Sequence, residues 1–247
     1  MTNKINYNYL FPVLMSFFAM SFCDLVGIGV DRVKLDHNLS NTIAQLIPSA
    51  VFIWFFILSV PVGILQDRIG KRNMLNIGIA ITALGLFIPF FFNPFAAILF
   101  GFALLGIGNT IVQVSANPLL IDVVPSDKAS SFLSFSQFIK AVGSMIAAPF
   151  AGWLASTFGN WKLMFLVFGI VSVLTVIWLA SIRIEETRNE AKRATFGSSF
   201  KLLGTRFISI MVLGIFLVVG IDVGINAVSG QFFINKFESA QTFAESG

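Results

Sequence analysis

The chain has 247 residues, 56% of them hydrophobic and only 11% charged, with 29 Phe. Soluble domains carry roughly 25% charged residues, so a soluble globular protein is excluded. The formal net charge of +4 would suggest a nucleic-acid partner in a soluble protein, but in so apolar a chain the basic residues are read by side of membrane, and no nucleic acid is expected. One Cys and one His leave neither a disulfide framework nor a Cys/His metal cluster, so no cofactor and no metal are expected.

A helix crosses a hydrocarbon core roughly 30 Å thick with about 20 apolar residues. Residues 38–66 and 73–121 each contain no Asp, Glu, Lys, Arg or His. At about 1.5 Å per residue the second run, as one helix, would be more than twice the thickness of the core. It must fold back, and Asn93-Pro94 is the expected hairpin. Transmembrane strands would alternate apolar and polar over segments of about 10 residues, and that period is missing. The expected fold class is an all-α, polytopic membrane protein.

Seven spans follow in chain order: residues 10–30, 43–65, 74–92, 95–119, 129–156, 163–182 and 207–231. The first is too long for a signal-peptide core and leads into further spans, so it is retained. It carries Asp24. The fourth carries Asn109, Gln113 and Asn117 at i, i+4 and i+8, three amides on one slowly drifting stripe. Amides donate and accept hydrogen bonds, as sugar hydroxyls do. The fifth has a matching stripe of Ser130, Ser134, Gln137, Lys140 and Ser144, its serines also suited to bonding across helix contacts. Pro149 in that span reads as a kink whose freed carbonyl neighbouring helices cover.

Residues 183–206 form the one long polar segment, with Arg183, Glu185, Glu186, Arg188, Glu190, Lys192, Arg193, Lys201 and Arg206. It reads as a linker between two helical bundles. The seventh span echoes the first: Cys23-Asp24-Leu25-Val26-Gly27-Ile28 stands beside Ile221-Asp222-Val223-Gly224-Ile225-Asn226. Transporters built from repeated six-helix halves predict such an echo. Charges within spans cost about 2.5 to 3.5 kcal/mol near a helix centre and normally face a cavity or a partner. Asp24, Lys140 and Asp222 are the clear cases, and all three are proton-coupling candidates, although Asp24 and Lys140 could also neutralise each other as a structural pair. Asn109, Gln113, Asn117, Gln137 and Asn226 are the substrate-binding candidates.

With the N-terminus cytoplasmic, Lys4, Arg68, Lys71, Arg72, Lys128, Arg183, Arg188, Lys192, Arg193, Lys201 and Arg206 fall inside. Only Arg32, Lys34, Lys162 and Lys236 fall outside, which fixes the expected orientation.

After the second span comes Gly63-Ile64-Leu65-Gln66-Asp67-Arg68-Ile69-Gly70-Lys71-Arg72. This resembles the G-x-L-x-D-R-x-G-R/K-R/K signature of the major facilitator superfamily. Composition alone reads Arg68, Lys71 and Arg72 as positive-inside anchors and Gly70 as a turn. The resemblance implies a cytoplasmic gate formed by Gly63, Asp67, Arg68, Gly70, Lys71 and Arg72, with Asp67 as the latch that engages the opposite half. Gly106-Ile107-Gly108, Gln113-Val114-Ser115-Ala116-Asn117-Pro118 and Cys23-Asp24-Leu25 are similar to the fucose, galactose and glucose proton symporter branch. By that resemblance Asp24 takes the position used for protons or substrate. Four residues before the Asn of the A-N-P element those symporters have a Glu; here stands Gln113, which does not titrate, so coupling falls to Asp24, aided by Lys140 or Asp222.

The resemblance implies a bacterial inner-membrane carrier that takes up a monosaccharide with a proton by alternating access. It also implies a chain truncated after helix seven. Residues 1–182 would be the N-terminal six-helix bundle, 183–206 the cytoplasmic linker and 207–247 the first helix of an incomplete second bundle. The expected partners are sugar, proton, the lipid bilayer and the missing C-terminal half. A proton-coupled antiporter is the alternative, from Ala148-Pro149 and Gly152, a partial Gly-Pro echo; an inactive fragment is another. A retinal protein would need a Lys in the last span, and none lies in 207–231. No nucleophile sits beside a base, so no enzyme is expected.

Overall fold

The computed structural model describes residues 6–186 and 195–236. Lys4, Arg188, Glu190, Lys192, Arg193 and the chain end at 245–247 lie outside the described residues, as do the side chains of Asn226 and Lys236. Among the described residues the chain is helical, with no strand. Its helices are α1 (Tyr7–Met20), α2 (Val26–Asp36), α3 (Asn41–Ala44), α4 (Leu46–Ile69), α5 (Lys71–Phe91), α6 (Phe95–Val123), α7 (Ala129–Phe158), α8 (Leu163–Ser181), α9 (Phe196–Leu202) and α10 (Arg206–Lys236). Among the described residues six helices are long and apolar enough to cross a membrane, and the bent pair α1 and α2 can make a seventh. Most run past the expected apolar limits, because interfacial polar residues continue the helix. Thus α4 carries on through Gln66, Asp67 and Arg68 to Ile69.

The first span, expected over residues 10–30, is a bent pair of helices. Between α1 and α2 lies a 3-10 turn, Ser21–Leu25, and the segments Tyr7–Asp24 and Gly29–Asp36 diverge by 41°. Ser16 and Ser21 turn their hydroxyls back onto the carbonyls of Val13 and Phe18 at 2.5 and 2.6 Å, a competition with the helical ladder that bends helices. Gly27 and Gly29, poor helix formers, follow at once.

The other boundaries have local causes. Gly70 (φ 101°) donates its N–H to the Gln66 carbonyl at 2.8 Å and is also the residue before α5. A residue with positive φ turns the chain there without a loop, which glycine does at least cost. The Asn93-Pro94 hairpin is present: Phe92 closes α5 on Ile88, and the Pro94 carbonyl accepts from Ala97 and Ile98 at 2.9 and 3.1 Å to open α6.

In lipid, helices associate by close packing rather than by escape from water, and α6 is the hub, packed on α5, α4 and α1. A Cβ on Gly108 would stand 2.5 Å from the Thr82 nitrogen, and one on Gly85 2.6 Å from the Leu105 nitrogen, so α5 and α6 meet backbone to backbone. Phe22 stacks on Phe168 with centroids 4.3 Å apart, and Phe102 meets Phe165 edge-on at 5.9 Å, tying α8 to helix one and α6. By contrast the described side chains of α10 are almost all exposed, Phe216 at 72%, and the helix packs chiefly against α2. Ile53, Phe56 and Ile57 of α4 and Phe138 and Met145 of α7 are exposed too.

Candidate functional site

Asp24 lies in the 3-10 turn, at the end of the first straight segment and beside the bend that breaks helix one, and its carboxyl meets α7. The Ser144 hydroxyl donates to Asp24 Oδ2. That contact depends on the residue before it: a Cβ on Gly143 would collide with the Ser21 side chain, so α7 comes this close to the break only because residue 143 has none. Ser144 Oγ also lies 3.1 Å from the Lys140 carbonyl oxygen, one turn back. Cys23 is buried (2% exposed), its thiol faces the Asn109 amide, and both Asp24 and Lys140 lie near enough to act on it electrostatically. The break therefore gathers residues from three elements: Asp24 and Cys23 from helix one, Lys140 and Ser144 from α7, Asn109 from α6. The direct hydrogen-bond partner of Asp24 is Ser144, while Lys140 stands nearby and half-buried.

The two polar stripes are placed unevenly. Gln113 is exposed and Asn117 half-buried on one side of α6, with Asn117 Nδ2 3.4 Å from the Gln113 carbonyl. Asn109 is covered by helix one, 3% exposed, and its Oδ1 has no hydrogen-bond partner. On α7, Ser130, Ser134 and Gln137 are exposed. Asp222 is exposed on α10, away from the hub of the bundle.

A second cluster occupies the end of the bundle that carries the basic loop. Lys71 Nζ pairs with Asp122 at 2.6 Å, the side chains being 18% and 6% exposed. The Glu186 carboxylate accepts from the backbone N–H groups of Lys71 and Arg72 at 2.8 and 2.9 Å, filling two of the donors that the first turn of α5 leaves open. Arg72 donates to the carbonyls of Leu179 and Ala180 at 3.0 and 2.6 Å, closing the last turn of α8. One loop thus binds the ends of α5, α6 and α8 together. Gly63 faces Val114 of α6, and Asp67 and Arg68 are exposed at the end of α4. In the sequence Asp122 is marked only as the first charge after the long apolar run, and Glu186 only as one charge of the polar segment. Glu186→Ala should lower stability by about 1 to 2 kcal/mol, the cost of losing a cap and its charge at a helix N-terminus, with Glu186→Gln losing less; thermal unfolding of the detergent-purified protein measures both.

At the opposite end Trp161 Nε1 donates to Asp36 at 3.1 Å and Lys162 Nζ donates to Asn93, joining three connections. Among the described residues no group of three or more His, Cys, Asp or Glu could hold a metal ion.

The sequence profile of the Major Facilitator Superfamily matches residues 10–244. The chain belongs to this superfamily. Its architecture, too, is that of the superfamily: the D-xylose-proton symporter superimposes with a TM-score of 0.66 at 19% identity, over 93% of this chain and 62% of that one. The fucose:proton symporter of E. coli does so with a TM-score of 0.61 at 18% identity, over 80% and 55%. In sequence, a glucose/galactose transporter of Brucella abortus is 27% identical over 253 residues, 95% of this chain. The chain spans 60% of that relative's length. As a superfamily member it is a multi-span membrane protein of a transporter family, not an enzyme family.

Proposed function

We propose that the protein carries a monosaccharide across a bacterial inner membrane together with a proton, by alternating access. The observation that carries this reading is an acid, Asp24, beside a bend in a membrane helix and hydrogen-bonded by a second helix. Broken helices at mid-membrane are where carriers of this kind bind substrate and coupling ion. The named relatives, transporters of glucose, galactose, xylose and fucose, support sugar as the substrate class. In this account Asp24 takes up and releases the proton, with Lys140 and Asp222 assisting. Gln113, Asn117 and Gln137 meet the sugar hydroxyls, with Asn226 joining from α10 and Asn109 acting from behind through Cys23.

The basic loop lies on the cytoplasmic side with the N-terminus, and Asp67 latches against the opposite half. Residues 1–182 form the first bundle, 183–206 the linker and 207–247 the start of a second bundle, whose helices cover the exposed faces of α4, α7 and α10. The test is uptake of radiolabelled hexoses and pentoses by proteoliposomes of the complete gene product. At least one should be accumulated and competed by its epimers, and Gln113→Ala should raise its KM about tenfold, the equivalent of one lost substrate hydrogen bond. Failure of every monosaccharide tested overturns the sugar reading.

A further inference from the structure

Resting on the reading of Asp24 as the proton site, we infer that Ser144 is the positioning residue that lets this carboxyl be fully hydrogen-bonded both with and without its proton. Ser144 Oγ has one hydrogen to give and two acceptors within reach, Asp24 Oδ2 and the Lys140 backbone carbonyl. An ionised carboxylate only accepts, so Ser144 donates to it. When a proton from water adds to an Asp24 oxygen, the new carboxyl O–H donates to Ser144 Oγ. The Ser144 hydrogen then rotates onto the Lys140 carbonyl, which has a second lone pair besides the one used in the helix. One proton has entered, Ser144 has kept its own, and no helix has moved. Gly143 is part of the device, because its lack of a side chain sets the distance between α7 and the break.

The surroundings leave few other groups to serve Asp24. Of the elements packed on the break, α1 holds no charged residue and α6 only Asp122, paired with Lys71 far down the helix. The charges of α2, Asp31, Arg32, Lys34 and Asp36, lie beyond Gly29, and α7 brings Lys140. Within the break itself Cys23 faces Asn109.

The test uses infrared difference spectra of the purified chain in lipid, recorded between alkaline and acidic buffer. The carboxylic C=O band that disappears in Asp24→Asn is the band of Asp24. In Ser144→Ala it should shift to the higher wavenumber of a carboxylic acid without a hydrogen bond, and in Ser144→Thr, which keeps the hydroxyl, it should return towards the wild-type position. Gly143→Ala should shift it as Ser144→Ala does. An Asp24 band that stays in place in Ser144→Ala overturns the role of Ser144 and leaves the proton site standing. If no band is lost in Asp24→Asn, both fall.

Discussion

Asp24→Asn should abolish proton-driven accumulation of sugar while leaving exchange of sugar across the membrane in place. The substitution keeps the size of the side chain and its ability to bond with Ser144, whose hydroxyl can donate to an amide oxygen as to a carboxylate oxygen. What it removes is the carboxyl group proposed to carry the proton. Accumulation against a gradient should therefore fall by tenfold or more (roughly 1.4 kcal/mol of driving force for each factor of ten), and counterflow, which moves no net proton, should persist. The two assays are run on the same proteoliposomes, so a misfolded variant, which loses both, is recognised. Unchanged accumulation would remove Asp24 from the coupling step.

Asp122→Ala should destabilise the protein by about 3 kcal/mol, because it removes the carboxylate, 6% exposed, that pairs with the Lys71 ammonium. The effect extends beyond the pair. Lys71 begins α5 at the point where Glu186 and Arg72 tie that helix to α8, so loosening it frees the ends of three helices. Replacing both partners by apolar residues of similar size, Lys71→Met with Asp122→Leu, should recover most of the loss. A buried charge pair stabilises little over a hydrophobic one, whereas half a pair is costly. Thermal unfolding of the two single variants and the double variant in detergent measures the coupling. Additive single effects would mean that the pair is not an energetic unit.

The sequence and the structure agree where a single element decides the outcome. Two charge-free runs specify crossing helices, Asn93-Pro94 specifies their hairpin, and Gly70 turns the chain between α4 and α5. Asp24 and Lys140 stood out because a charge in lipid needs a reason. What could not be read depends on where helices cross. Asn109 and Gln113 share a stripe by spacing, yet helix one covers the first and leaves the second open. The 3-10 turn at Ser21–Leu25 has the composition of ordinary membrane helix, and serine back-bonding and the approach of α7 at Gly143 meet there. Glu186 reaches the start of α5 across 115 residues of sequence, and no local pattern marks that distance. Ser144 looked like one more helix-contact serine, and it gained its meaning only when its acceptor turned out to be Asp24.

The central claim is that a proton enters with the sugar through Asp24. It is tested most directly by adding a transported monosaccharide to lightly buffered, de-energised proteoliposomes of the complete gene product and following external pH. The account predicts a sugar-dependent alkalinisation in the wild type that is absent in Asp24→Asn while counterflow continues. Sugar entry with no alkalinisation, or the same alkalinisation in Asp24→Asn, would contradict it.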